Sequence, residues 1–97
     1  MEIKVVKLVS GDEVICDVEE TPSGYLLKNA HQVQVVPSRS GQPTFGLLPY
    51  PITSEDKEIE VKYSSVMFIC NPGEEFTTQY KSILGIGIVV PQKEIII

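Results

Sequence analysis

The sequence predicts a small, mainly antiparallel β domain that ends in one helix. Three observations carry this. The first 36 residues read as strand-like segments separated by tight turns, the middle of the chain is rich in proline, and one strong helix-start signal follows the last strand-like run. Ninety-seven residues make a single domain with a modest core, so help from self-association is expected. An apolar fraction of 42% fits a folded chain.

The elements follow in order. Residues 3–9, IKVVKLV, are dense in β-branched side chains and read as a strand. SGDE at 10–13 is a turn, with Gly11 free to take a positive φ. In the next strand Val14, Cys16 and Val18 point one way and Ile15, Asp17 and Glu19 the other. TPSG at 21–24 is a second turn. YLLKNAHQVQVVP, from residue 25, is long for one strand, and its alternation changes phase near Asn29 and Ala30, so a bend or bulge is expected there. Three strands with short turns make a meander. Residues 37–58 hold four of the seven prolines and read as loop or interrupted edge strand, with TFGLLPY a short strand or packed loop.

The segment EVKYSSVMFI, residues 60–69, places Tyr63, Ser64 and Ser65 between two apolar pieces. The helix signal is NPGEEFTTQYKSILG: Asn71 is placed to cap, Pro72 suits the first helical position, and Glu74 falls three residues after the cap. Phe76, Tyr80, Ile83 and Leu84 form one stripe, and Gly85 is a natural stop, giving a helix over about 72–84. The apolar tail, IGIVVPQKEIII, is expected to pack on the sheet or on a neighbour.

Composition narrows the function classes. A net charge of -5 argues against tight, sequence-independent nucleic-acid binding. Cys16 and Cys70 lie in apolar runs without CxxC spacing and read as buried reduced thiols, which suits a reducing cytoplasm. No secretory signal and no apolar run long enough to span a membrane is visible. His31 is the sole histidine and reads as a polar residue on a strand face. Asp12 and Glu13 sit in a turn, GEE at 73–75 opens a helix, and SEDKE at 54–58 is a solvated loop. GIGIVV lacks the third glycine and the helix of a dinucleotide loop. An enzyme is not expected, nor a cofactor or a metal.

Two segments together resemble the motifs of the Sm-like (LSm) family. In LVSGDEVICDVEETPSGYLL, Leu8, Gly11, Cys16 and Val18 take the places of the first motif, with Cys16 where glycine is usual. With a turn one residue shorter, Glu20 and Gly24 take the places of the motif's Asp and Asn. VKYSSVMFI has the shape of the second motif, with Lys62 for Arg, Tyr63 for Gly and Ser64–Ser65 for the polar pair. The chain looks most like the divergent Sm-like proteins carried by marine cyanophages. Motif one covers about 3–36 and motif two about 59–69; residues 37–58 are an inserted Pro-rich loop, and a helix and tail occupy 70–97.

The resemblance implies an Sm-like fold: a strongly bent five-stranded antiparallel sheet, a small open barrel, with a tight turn at the serines. It implies that the fourth and fifth strands are edges paired between copies, in a homo-oligomeric ring of about five to seven subunits. Val66, Met67, Phe68 and Ile69 would carry that pairing, with part of residues 43–53 opposite. It also implies single-stranded RNA at the inner rim. The positions carried over or beside the pocket are Glu20, Pro22 with Ser23, Gly24, Tyr25, Lys62, Tyr63 and Ser64. Gly24 lacks a side chain to read a base, and Lys62 keeps the charge but not the planar fork. Tyr25 and Tyr63 either stack bases or pack in the sheet or at the subunit contact. The alternative is a ring-shaped scaffold that binds a phage or host protein and no nucleic acid. No membrane partner is expected, and the location is the cytoplasm, that of the host if the chain is phage-encoded.

Overall fold

The computed structural model describes residues 2–85. Strands β1 (Ile3–Leu8), β2 (Glu13–Thr21) and β3 (Gly24–Val36) form the expected meander, followed by β4 (Thr44–Pro49) and β5 (Glu58–Lys62). A single 3-10 turn, Tyr63–Ser65, leads into β6 (Val66–Cys70), and α1 (Glu74–Leu84) ends the described chain. The polar interruption in EVKYSSVMFI is therefore a turn between two strands, as expected. The tail beyond Gly85 lies outside the described residues.

All strand pairs are antiparallel. The order runs β4-β3-β2-β1-β6, and β5 also pairs with β3. β3 is long enough to serve two partners on one side: Gly24–Lys28 faces β5, and His31–Val36 faces β4. Among the described residues the sheet thus has six strands rather than five. The extra one comes from the Pro-rich segment, whose prolines are compatible with it because β4 is an edge strand and Pro49 closes it.

The bend falls where the phase change placed it. Ile15 pairs with His31 and Asp17 with Lys28, so Cys16 faces two residues, Asn29 and Ala30. Asn29 takes φ 51°, a conformation that asparagine tolerates better than most residues. This bulge folds the sheet and gives it two apolar faces. Val6, Leu8, Val14, Cys16, Leu27 and Ala30 fill the inside of the bend, joined by Tyr50, Ile59, Val61, Val66 and Ile69. On the other face Ile15, Leu47 and Val33 meet Phe76, Tyr80 and Leu84 of α1. The alternation of Val14 and Cys16 against Ile15 is what separates the two cores.

The helix starts later than expected. Gly73, not Asn71, stands at the N-cap, and no side chain caps it. Asn71 is taken by a distant partner: Lys4 Nζ donates to its Oδ1 at 2.6 Å. Glu74 and Glu75 fill the first turn, where the helix dipole favours acids, and Gly85 ends the helix at φ 73°. Tyr80 is fully buried. Its hydroxyl lies 3.0 Å from the Asn29 carbonyl and 3.3 Å from that of Lys28, so α1 is docked onto the β3 bulge itself.

Candidate functional site

Two turns distant in sequence meet at one margin of the sheet. Pairing of Gly24 with Lys62 and of Tyr25 with Val61 sets the β2–β3 turn against the 3-10 turn. This approach requires a glycine: a Cβ on Gly24 would stand 1.9 Å from the Val61 carbonyl oxygen. The Tyr63 N–H donates to the Ser23 carbonyl at 3.3 Å. The Tyr63 hydroxyl lies 2.7 Å from Glu20 Oε2 and 2.8 Å from the Thr21 carbonyl oxygen, its one proton set between two acceptors. That bond to the Glu20 carboxylate holds the Tyr63 phenol above its ordinary pKa. Tyr25 meets Tyr63 edge to face, with centroids 5.2 Å apart.

Between these turns lies an open groove of about 470 Å³, lined by Ser23, Glu60, Val61, Lys62, Tyr63 and Ser64. Of the residues singled out from sequence, Ser23, Lys62, Tyr63 and Ser64 line it. Glu20 and Tyr25 stand behind it, each held to Tyr63. Gly24 permits the close approach, and Pro22 is exposed on the same turn, outside the groove lining. Tyr25 and Tyr63 thus engage each other within the chain, the packing role weighed for them above, while Tyr63 stays 42% exposed with its ring available at the groove. Glu60 and Val61 were not singled out. Their only sequence signal is position, two and one residues before Lys62 on the strand that pairs with the start of β3. Glu60 matters because it offsets Lys62, giving the groove mixed charge.

β6 divides by face. Val66 and Ile69 are half-buried and pack into the core inside the bend, whereas Met67 and Phe68 are 61% and 48% exposed. Among the described residues β6 pairs only with β1, and β5 only with β3. The two strands that flank the 3-10 turn therefore stand at two open margins. Unpaired margins of this kind are templates for another strand.

Cys16 and Cys70 separate as well. Cys16 is fully buried, and burial, with the neighbouring Asp17 adding to it, pushes its thiol up to about 12. Cys70 is exposed, which corrects the expectation of two buried thiols; it ends β6, where the chain turns away toward α1. His31 lies on a face of β3, as expected, and is buried there against the Tyr80 ring. Among the described residues no group of three or more His, Cys, Asp or Glu side chains is placed to hold a metal ion. No helix of the described residues is long and apolar enough to cross a membrane. No family model and no curated protein matches the chain.

Proposed function

We propose that the chain is a divergent Sm-like protein that closes into a homo-oligomeric ring and binds single-stranded RNA at the rim groove. The observation that carries this reading is the joint placement of the two motif turns. The turn at 21–24 and the turn Tyr63–Ser65 line one groove, and the strands on either side of the second turn carry the open margins. One copy's β6 then pairs with the β5 of the next, in place of the 43–53 segment expected opposite it, a head-to-tail contact that closes by rotation. Each groove repeats around the ring, so weak contacts at one copy add by multivalency. In the groove, the exposed Tyr63 ring offers a stacking face, Lys62 a phosphate contact, and the Ser64 hydroxyl a hydrogen bond.

Glu20 and Glu60 favour a second reading, a ring that docks a phage or host protein and no nucleic acid. The Glu60 carboxylate lines the groove and that of Glu20 stands behind it on Tyr63, both repelling phosphate, and Gly24 offers no side chain to a base edge. Titration with short U-rich and A-rich RNA at moderate salt separates the two. RNA binding predicts saturation by at least one of them, weakened by Lys62→Glu and strengthened by Glu60→Gln. No binding of either, with a protein partner retained after nuclease treatment, rejects RNA and leaves the scaffold.

A further inference from the structure

β4 is an outer strand of the sheet and is bare along one side. Among the described residues it pairs with β3 alone. The Tyr50 N–H donates to the Ala30 carbonyl at 2.9 Å, which fixes the alternation along this ladder. Leu48, Gly46 and Thr44 then bond to Gln32, Gln34 and Val36, so the backbone groups of Phe45 and Leu47 point away from β3. Each of these two residues presents an N–H and a C=O to the outside. Natural edge strands are commonly guarded by charge. TFGLLP carries none, and Phe45, Leu48 and, across the ladder, Val35 and Val36 are exposed. Such an edge is a template for a further strand.

α1 leads the chain to this edge. Phe76 meets Phe45 with ring centroids 5.4 Å apart, Tyr80 and Leu84 share an apolar cluster with Leu47, and Leu84 borders a cavity with Pro49. Helix and strand therefore run in the same sense. From Phe76 to Leu84 the helix rises about 12 Å, and from Phe45 to Pro49 the strand extends about 13 Å. Gly85, at φ 73°, closes the helix at the far end of β4. From there the sequence continues as IGIVVP, residues 86–91, outside the described residues. A segment that starts at that end and lies along β4 runs back antiparallel to it.

We infer that residues 88–90 of the same chain add a strand antiparallel to the outer edge of β4. Gly85, Ile86 and Gly87 span up to about 10 Å, which brings the chain from the helix down to the edge. Ile88 then stands opposite Leu47 and Val90 opposite Phe45, and these two pairs satisfy every outward backbone group of Phe45 and Leu47. Val89 falls opposite Gly46, which leaves room for its side chain beside Leu48. Pro91 falls opposite Thr44, where the ladder asks no donor of the added strand, so the proline ends it without loss of a hydrogen bond. The short tether holds this segment at the edge at an effective concentration of about millimolar, above that of any second copy at micromolar protein. The inference does not depend on the rim groove, nor on ring closure, which engages β5 and β6.

Hydrogen exchange followed by NMR reads the two outward amides directly. The Phe45 and Leu47 N–H groups are expected to exchange at least about a hundredfold more slowly in the unmodified protein than in Ile88→Pro with Val90→Pro. Both substitutions lie outside the described residues, so they alter no contact among those residues. Equal exchange in the two proteins overturns the inference. A cross-link tells whose segment occupies the edge. Gly46 and Val89 form a pair with Cα atoms about 4.5 Å apart, within disulfide reach. A Cβ on Gly46 makes only ordinary contact, 3.6 Å from Val36 Cγ2. Cys16 is buried, and Cys70→Ser removes the exposed thiol. In that background Gly46→Cys with Val89→Cys is expected to close a disulfide within one chain under mild oxidation. Bridges only between chains would assign the edge to a neighbour's segment and overturn the inference, as would no bridge at all.

Discussion

Gly24 shows how much a single position decides. Its missing Cβ lets β3 and β5 approach at the rim, where any side chain would enter the Val61 carbonyl. Gly24→Ala must separate those strands, and the expected loss is at least about 2 kcal/mol by urea unfolding. An unchanged midpoint would show that the strands yield without cost. The sequence marked Gly24 as a turn glycine but not for this reason, because the atom it avoids lies 37 residues away in the sequence, on β5. Cys16 is a case of the opposite kind, since its alternation with Val14 already placed it inside. Its thiol is pushed up from 9.0 to about 12, so the unfolded chain loses its proton near pH 9 while the folded chain keeps it. Stability is therefore full below pH 9 and falls as pH rises toward 12, by about 1.4 kcal/mol per pH unit for this one group. Burial raises the Tyr80 phenol too, which acts in the same direction. Unfolding followed against pH is expected to show this alkaline loss, with a shallower slope in Cys16→Ala. A thiol reagent at neutral pH should find Cys70 alone in the native protein and both cysteines in denaturant.

At the scale of elements, the β3 bulge organises the rest. It bends the sheet, receives α1 through Tyr80, and releases the loop at 50–57. An isolated helix of 11 residues is marginal in water, so α1 depends on its packing. Tyr80→Phe keeps the ring and removes one donor shared by the Lys28 and Asn29 carbonyls, the second of which keeps its contact with His31 Nδ1, at an expected cost of about 1 kcal/mol in thermal or urea unfolding. A loss below a few tenths would mean that the hydroxyl contributes no net bond. The meander and the bulge were legible because period and turn chemistry are local signals, whereas the turn at Tyr63–Ser65 was expected only from the resemblance of the segment to a family motif. The helix start was less so: Asn71 has the chemistry of a cap, but Lys4, on β1, competes for it. β4 was readable only as one of two options, because prolines argue against a strand locally. What makes it a strand is the second half of β3, which needs a partner along its outer side.

At the scale of the whole molecule, the β5 and β6 margins stand open on either side of the 3-10 turn. β5 and β6 each have one strand partner among the described residues, and β6 carries Met67 and Phe68 exposed. Leaving such strands in water invites pairing with other chains, and a closed ring of copies pairs the β5 and β6 margins at once. The groove chemistry was only partly legible for the same reason that Glu60 was missed. Motif positions name the turns, but the charge of the groove depends on which strand the fold lays beside them. Met67→Asp with Phe68→Asp changes side chains outside the core and is expected to yield folded monomers, with unchanged far-UV circular dichroism and reduced native mass. Retention of the full assembly in that variant would move the contact away from β6. The most direct test is the native mass of the unmodified protein at micromolar concentration, by sedimentation equilibrium or light scattering. Ring closure predicts about five to seven times the 10.7 kDa protomer mass, unchanged on dilution through that range. A single species at 10.7 kDa would contradict it.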